Sequence, residues 1–161
     1  MSNEYKDWYN DLSEEQRNIY ELCMEFPFLL PRKADGTIDE DFDYKYLNIT
    51  IPKGWSTTFI EMCKRIKPLL EKEGVSDSFY FVEVKEKYNT LRCYTNEYVS
   101  DELQDIIREY ENKVRFICSE CGRPATYVTT DYELSYCTNC WKDKAQHQKV
   151  EPIDIYSKNK I

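Results

Sequence analysis

Four cysteines carry the clearest chemistry in this sequence. Cys118-Ser119-Glu120-Cys121 and Cys137-Thr138-Asn139-Cys140 form two C-x-x-C pairs with fifteen residues between them. Two intervening residues let both sulfurs of a pair reach one ion from a tight turn, and the double spacing suits a tetrahedral four-thiolate zinc site. Gly122, directly after Cys121, supplies the positive φ such a turn often needs. Four thiolates fill the coordination sphere and leave no position for water or substrate, so a Zn2+ here is expected to be structural.

The remaining chemistry is sparse. His147 is the single histidine and stands outside any motif, and the chain has no nucleophile elbow, no phosphate-binding glycine loop and only 4 glycines. The expectation is therefore a protein that binds and does not catalyse. Cys23, Cys63 and Cys93 fall on apolar faces and read as core residues. Lys85, Lys87, Arg92 and Tyr94 are expected on one face of a hairpin, where clustered cations beside an aromatic suit phosphate or an acidic partner. The same face also reads as a solvated strand surface balanced by Glu83 and Glu86.

The elements that must position these groups follow from pattern and punctuation. Ser13-Glu14-Glu15-Gln16 is a capping box that opens a helix with the apolar stripe Ile19, Leu22, Cys23 and Phe26, and Pro27 and Pro31 end it. An acidic loop leads to a short strand over 44–51. A second helix, capped by Ser56 or Thr57, buries Trp55, Phe59, Met62, Cys63, Ile66, Leu69 and Leu70 and stops at Gly74. Residues 79–95 read as a hairpin turning at Asn89-Thr90, which puts Val82, Val84, Leu91 and Cys93 on the inner face. Ser100-Asp101-Glu102 starts a third helix with an apolar face of Leu103, Ile106, Ile107, Tyr110 and Val114. Residues 125–130 and 133–136 read as ribbon strands around Asp131-Tyr132, bringing both cysteine pairs to one end.

The sum is an α+β protein, helices packed on a small antiparallel sheet with a C-terminal four-cysteine zinc ribbon. Its divisions are an acidic N-terminal helical segment over 1–43, an α+β core over 44–115, the zinc ribbon over 116–149 and a tail over 150–161.

Charge is uneven along the chain. The net value is -8, and residues 1–49 hold 5 Lys/Arg against 12 Asp/Glu. This front, with Tyr5, Trp8, Tyr9, Tyr44 and Tyr46, suits docking on a basic protein or imitation of a nucleic-acid backbone. Residues 111–149 balance 6 cations against 5 acids, without the basic footprint of a typical nucleic-acid binder. No stretch of about 18 apolar residues and no leader pattern occurs, so the expected location is the cytosol, away from membranes. In that reducing compartment seven cysteines point to metal and away from disulfides.

The motif order resembles a family of small uncharacterised phage and bacterial proteins. The matching residues are Gly54-Trp55, Cys63 and Ile66, then Val84-Lys85-Glu86-Lys87-Tyr88 with Leu91-Arg92-Cys93-Tyr94, and last Cys118, Cys121, Gly122, Cys137 and Cys140. Asn89 stands where that family usually has glycine, and residues 1–43 have no counterpart in it. The resemblance implies architecture and a phage or mobile-element context. Functions consistent with it are binding and inhibition of a host or defence protein, of anti-defence type such as an anti-CRISPR. Two alternatives are a nucleic-acid-binding zinc ribbon and an immunity protein for a toxin nuclease.

Overall fold

The computed structural model describes residues 9–41, 47–96, 99–130, 134–145 and 150–152. Helix α1 spans Glu14–Glu25, and its capping box forms as expected: the Gln16 N–H donates to Ser13 Oγ, and the Ser13 N–H donates to Gln16 Oε1. Pro27 then starts a single 3-10 turn, Pro27–Leu29, whose Phe28 and Leu29 are buried. Helix α2 spans Ser56–Glu73 and ends on Gly74 at φ 71°, a left-handed C-cap that only glycine adopts without penalty. Its start departs from expectation. The 3-10 turn Lys53–Trp55 runs straight into the helix, so Trp55 occupies the cap position and neither Ser56 nor Thr57 caps with its hydroxyl. Helix α3 spans Asp101–Lys113, capped by Ser100 Oγ accepting from the Leu103 N–H.

The first sheet has strand order β1-β2-β3, with β1 at Ile49–Thr50, β2 at Phe81–Lys87 and β3 at Thr90–Thr95. Strand β1 is shorter than the expected 44–51, and residues 42–46 lie outside the described part. It pairs parallel to β2, Ile49 with Val84 and Thr50 with Lys85, so the small sheet is mixed. A parallel neighbour requires a crossover of a dozen or more residues, and α2 is that crossover.

Two irregularities set the faces of the β2–β3 hairpin. Phe81 pairs with Thr95 but Glu83 pairs with Tyr94, so Val82 is an extra residue on β2. The bulge reverses the alternation once. Phe81 and Val84 therefore both point into the core, and Val82, expected inside, is 46% exposed. The turn is Tyr88-Asn89, at φ 50° and 60°, with Lys87 opposite Thr90. The expected turn at Asn89-Thr90 was one residue late, because a two-residue loop of this kind needs left-handed backbone at both central positions.

The core lies between the hairpin and the three helices. Phe28, Phe79 and Phe81 meet edge to face at 5.3–5.9 Å. Trp55, Met62, Ile66, Leu91 and Leu103 are fully buried around them. On α3, Leu103, Ile107 and Tyr110 are buried as its spacing predicts. The second sheet is the ribbon, order β5-β4-β6: β4 Tyr127–Thr129, β5 Ser135–Tyr136 and β6 Val150–Pro152. The β4–β5 pair is the expected ribbon hairpin, and β6 adds a third strand from within the expected tail. Among the described residues no helix is long and apolar enough to cross a membrane.

Candidate metal centre

Both cysteine pairs sit in tight hydrogen-bonded knuckles. In the first, the Gly122 N–H donates to Cys118 O at 3.0 Å and the Cys118 N–H to Arg123 O at 2.7 Å, with Gly122 at φ 80°. In the second, Cys137 caps the helical turn Thr138–Cys140, and the Cys140 N–H donates to Cys137 Sγ at 3.4 Å. The β4–β5 pair brings the knuckles together. The Sγ atoms of Cys118, Cys121, Cys137 and Cys140 all lie within 4.8 Å of one another, placed to hold a metal ion.

The donor set fits such an ion. Tetrahedral thiolates about 2.3 Å from a zinc-sized centre stand about 3.8 Å apart, and Cys121 Sγ and Cys137 Sγ are 3.7 Å apart. Burial works against a thiolate at Cys118, yet the main-chain N–H groups of Cys137, Cys121 and Glu120 outweigh it and bring that thiol down to about 7. Desolvation and the neighbouring sulfurs of Cys137, Cys121 and Cys118 push Cys140 up. Four thiols this close cannot all ionise without a cation among them. The other three cysteines behave differently: burial pushes Cys23 up to about 12 and raises Cys63 and Cys93 further, which leaves them unreactive core residues.

The centre is joined to the core by main-chain contacts that the sequence did not advertise. The Gly54 N–H donates to Ser119 O at 2.9 Å, inside the first knuckle. A Cβ on Gly54 would stand 2.2 Å from Cys118 O, and one on Gly122 would stand 2.9 Å from Gly54 O. Two backbones therefore touch where only glycines allow it. Next to Gly54, Lys53 pairs with Glu120 at 3.1 Å. The only signal in the sequence was a glycine, one of 4, placed before a tryptophan.

The hairpin tip makes the second junction. Asn89 is buried, its Nδ2 donates to Ser135 Oγ at 2.6 Å, and Ser135 Oγ donates to Arg115 O at 2.7 Å. The Ser119 N–H donates to Ser135 O at 2.9 Å, so one serine ties hairpin, ribbon and knuckle. Asparagine at the turn tolerates the left-handed backbone and adds this side-chain bond.

Lys85, Lys87, Arg92 and Tyr94 do share the outer face of the hairpin. Lys85 is opposite Arg92, its Nζ is 5.6 Å from the Tyr94 ring centroid and 3.4 Å from Glu83, and Tyr94 is 44% exposed. Lys87 lies over the Tyr88 ring at 5.9 Å.

A separate groove of about 1040 Å3 opens between α1, β1 and α2, with neither the cysteine cluster nor the hairpin cations in its wall. Half-buried Ile19, Leu22, Ile49, Ile51 and Ile60 line it together with buried Phe59, and Asp11, Glu15 and Lys53 also border it. Of the expected aromatic anchors at the acidic front, Tyr9 bonds Glu21 and packs edge-on against Tyr20, whereas Tyr5, Trp8, Tyr44 and Tyr46 lie outside the described residues, as does His147.

Comparison of the chain with family models, with curated proteins and with solved structures finds no match.

Proposed function

We propose that this is a non-catalytic binding protein, shaped by a structural zinc ion, whose groove between α1, β1 and α2 receives a segment of a partner protein. The groove carries the reading: it gathers half-exposed isoleucine and leucine side chains into one concavity beside Asp11 and Glu15. Contiguous apolar surface with a charged border is what a protein interface uses. The fitting occupant is an amphipathic basic segment, since the first 49 residues carry 12 acids against 5 cations. The resemblance of Gly54-Trp55, the hairpin motif and the cysteine quartet to small phage and bacterial proteins supports a host protein as that partner, with an anti-defence role.

Zinc is the proposed ion because four thiolates at tetrahedral spacing favour it and leave no open position for catalysis. Metal analysis of the purified protein is expected to return zinc at one equivalent per chain; iron in its place overturns the assignment. For the groove, the test is affinity purification from the host with the wild type beside an Ile19→Asp, Ile60→Asp variant. A partner recovered at stoichiometric yield with the wild type and lost with the variant supports the reading. No stoichiometric partner, or one retained by the variant, overturns it.

A further inference from the structure

Three arginines belong to β3 and to the side of α3 that meets its edge, and among the described residues none of them is in an ion pair. The Cys93 N–H, which faces away from β2, donates to Glu111 Oε2 at 3.0 Å and so holds α3 against that edge. Arg108, Glu111 and Arg115 recur at helical spacing along α3 and the turn after it, Val114–Phe116, and so lie on one side of it. Arg92 is next to Cys93 in β3 and bears electrostatically on both Glu111 and Arg115, and Arg108 bears on Glu111. Among the described residues none of these arginines has a carboxylate within salt-bridge distance. Lys85 stands directly across from Arg92, and like charges facing each other on paired strands destabilise the pair. In a chain of net charge -8, cations concentrated around one half-buried carboxylate are a local cost that an incoming anion relieves. Tyr94, two residues from Arg92 and 44% exposed, offers a ring on the same hairpin face.

We infer that Arg92, Arg108 and Arg115, with Lys85 and Tyr94 beside them, form a binding site for the phosphodiester backbone of a single-stranded nucleic acid. The guanidinium groups take phosphate oxygens, and the Tyr94 ring takes a base by stacking. None of these residues lines the groove, so the site stands or falls apart from the proposed protein interface.

The probe is fluorescein-labelled dT12, titrated by anisotropy into the metal-loaded full chain. Contact with roughly three phosphates gives a log–log salt slope of about -2, an affinity about 20-fold weaker at ~200 mM than at ~50 mM KCl. Arg92→Gln with Arg115→Gln is expected to weaken binding at least about tenfold and to flatten the slope. Tyr94→Ala is expected to weaken it about tenfold with the slope unchanged. Glu111→Gln, which keeps an acceptor for the Cys93 N–H, is expected to tighten binding, a gain that a damaged fold does not produce. No binding at the lower salt, an unchanged affinity in the double-arginine variant, weaker binding by Glu111→Gln, or equal displacement by an acidic peptide each overturns the site.

Discussion

The N–H of Gly54 meets the carbonyl oxygen of Ser119 at 2.9 Å, and the space between the two backbones has no room for a methyl group. Gly54→Ala places a Cβ 2.2 Å from Cys118 O, an overlap with main chain that no rotamer relieves. The expected result is a loss of about 3 kcal/mol in urea unfolding of the metal-loaded protein, with faster release of metal to a chelator. A variant with wild-type midpoint and metal retention would show that the knuckle does not depend on this contact.

Removing the metal is the second prediction. EDTA at neutral pH should lower the melting temperature and erase the near-ultraviolet signal of Tyr127 and Trp141, whose rings are 5.3 Å apart beside the centre. Most of the far-ultraviolet helical signal should persist, because α2 and α3 are held by buried Met62, Ile66, Leu103 and Ile107. Thiolate ligands compete with protons, so acidification should mimic EDTA and added zinc should reverse both. Loss of the helical signal in step with the near-ultraviolet signal would argue against this division.

The third concerns the hairpin tip. Asn89→Gly keeps the left-handed turn and loses the bond to Ser135 Oγ, at a cost of about 1 kcal/mol; Asn89→Ala loses both and should cost about 2 kcal/mol. A double-mutant cycle with Ser135→Ala should give a coupling energy of at least about 0.5 kcal/mol, and strict additivity would refute the link.

How much of this was legible depended on whether a signal was local. The capping box at Ser13, the stop at Gly74, the Ser100 cap and the C-x-x-C spacing each rest on a few neighbouring residues, and each forms as the sequence predicts. The inner face of β2 was misread at Val82, because a bulge is a property of the strand pair and leaves no mark on one strand. The Gly54–Ser119 and Asn89–Ser135 contacts were missed for the same reason: each spans 46 or more residues of sequence. The arginine cluster joins β3 to α3, two elements whose adjacency, marked by the Cys93–Glu111 bond, no local sequence signal announces.

Glu111 supplies the pH prediction. Burial raises its carboxyl above the ordinary value of 4.5, against the opposing pull of the Cys93 N–H, Arg92 and Arg108. A raised acid binds its proton more tightly in the folded state, so stability falls as pH climbs through 4.5 and levels off above the folded value. Glu111→Gln should therefore be more stable than the wild type at neutral pH and lose that advantage below about pH 4. A variant less stable at neutral pH would show that the carboxylate's ion interactions outweigh its burial.

The buried bond from Asn89 to Ser135 also has a meaning in time. A ribosome adding about 5–20 residues per second needs roughly 2–9 s to make the 46 residues separating them. During that interval the hairpin tip emerges with its asparagine unpartnered, and the glycine ahead of Trp55 waits longer still for Ser119. Both contacts of the early part of the chain are thus completed only once Ser135, two residues ahead of the second cysteine pair, has been synthesised.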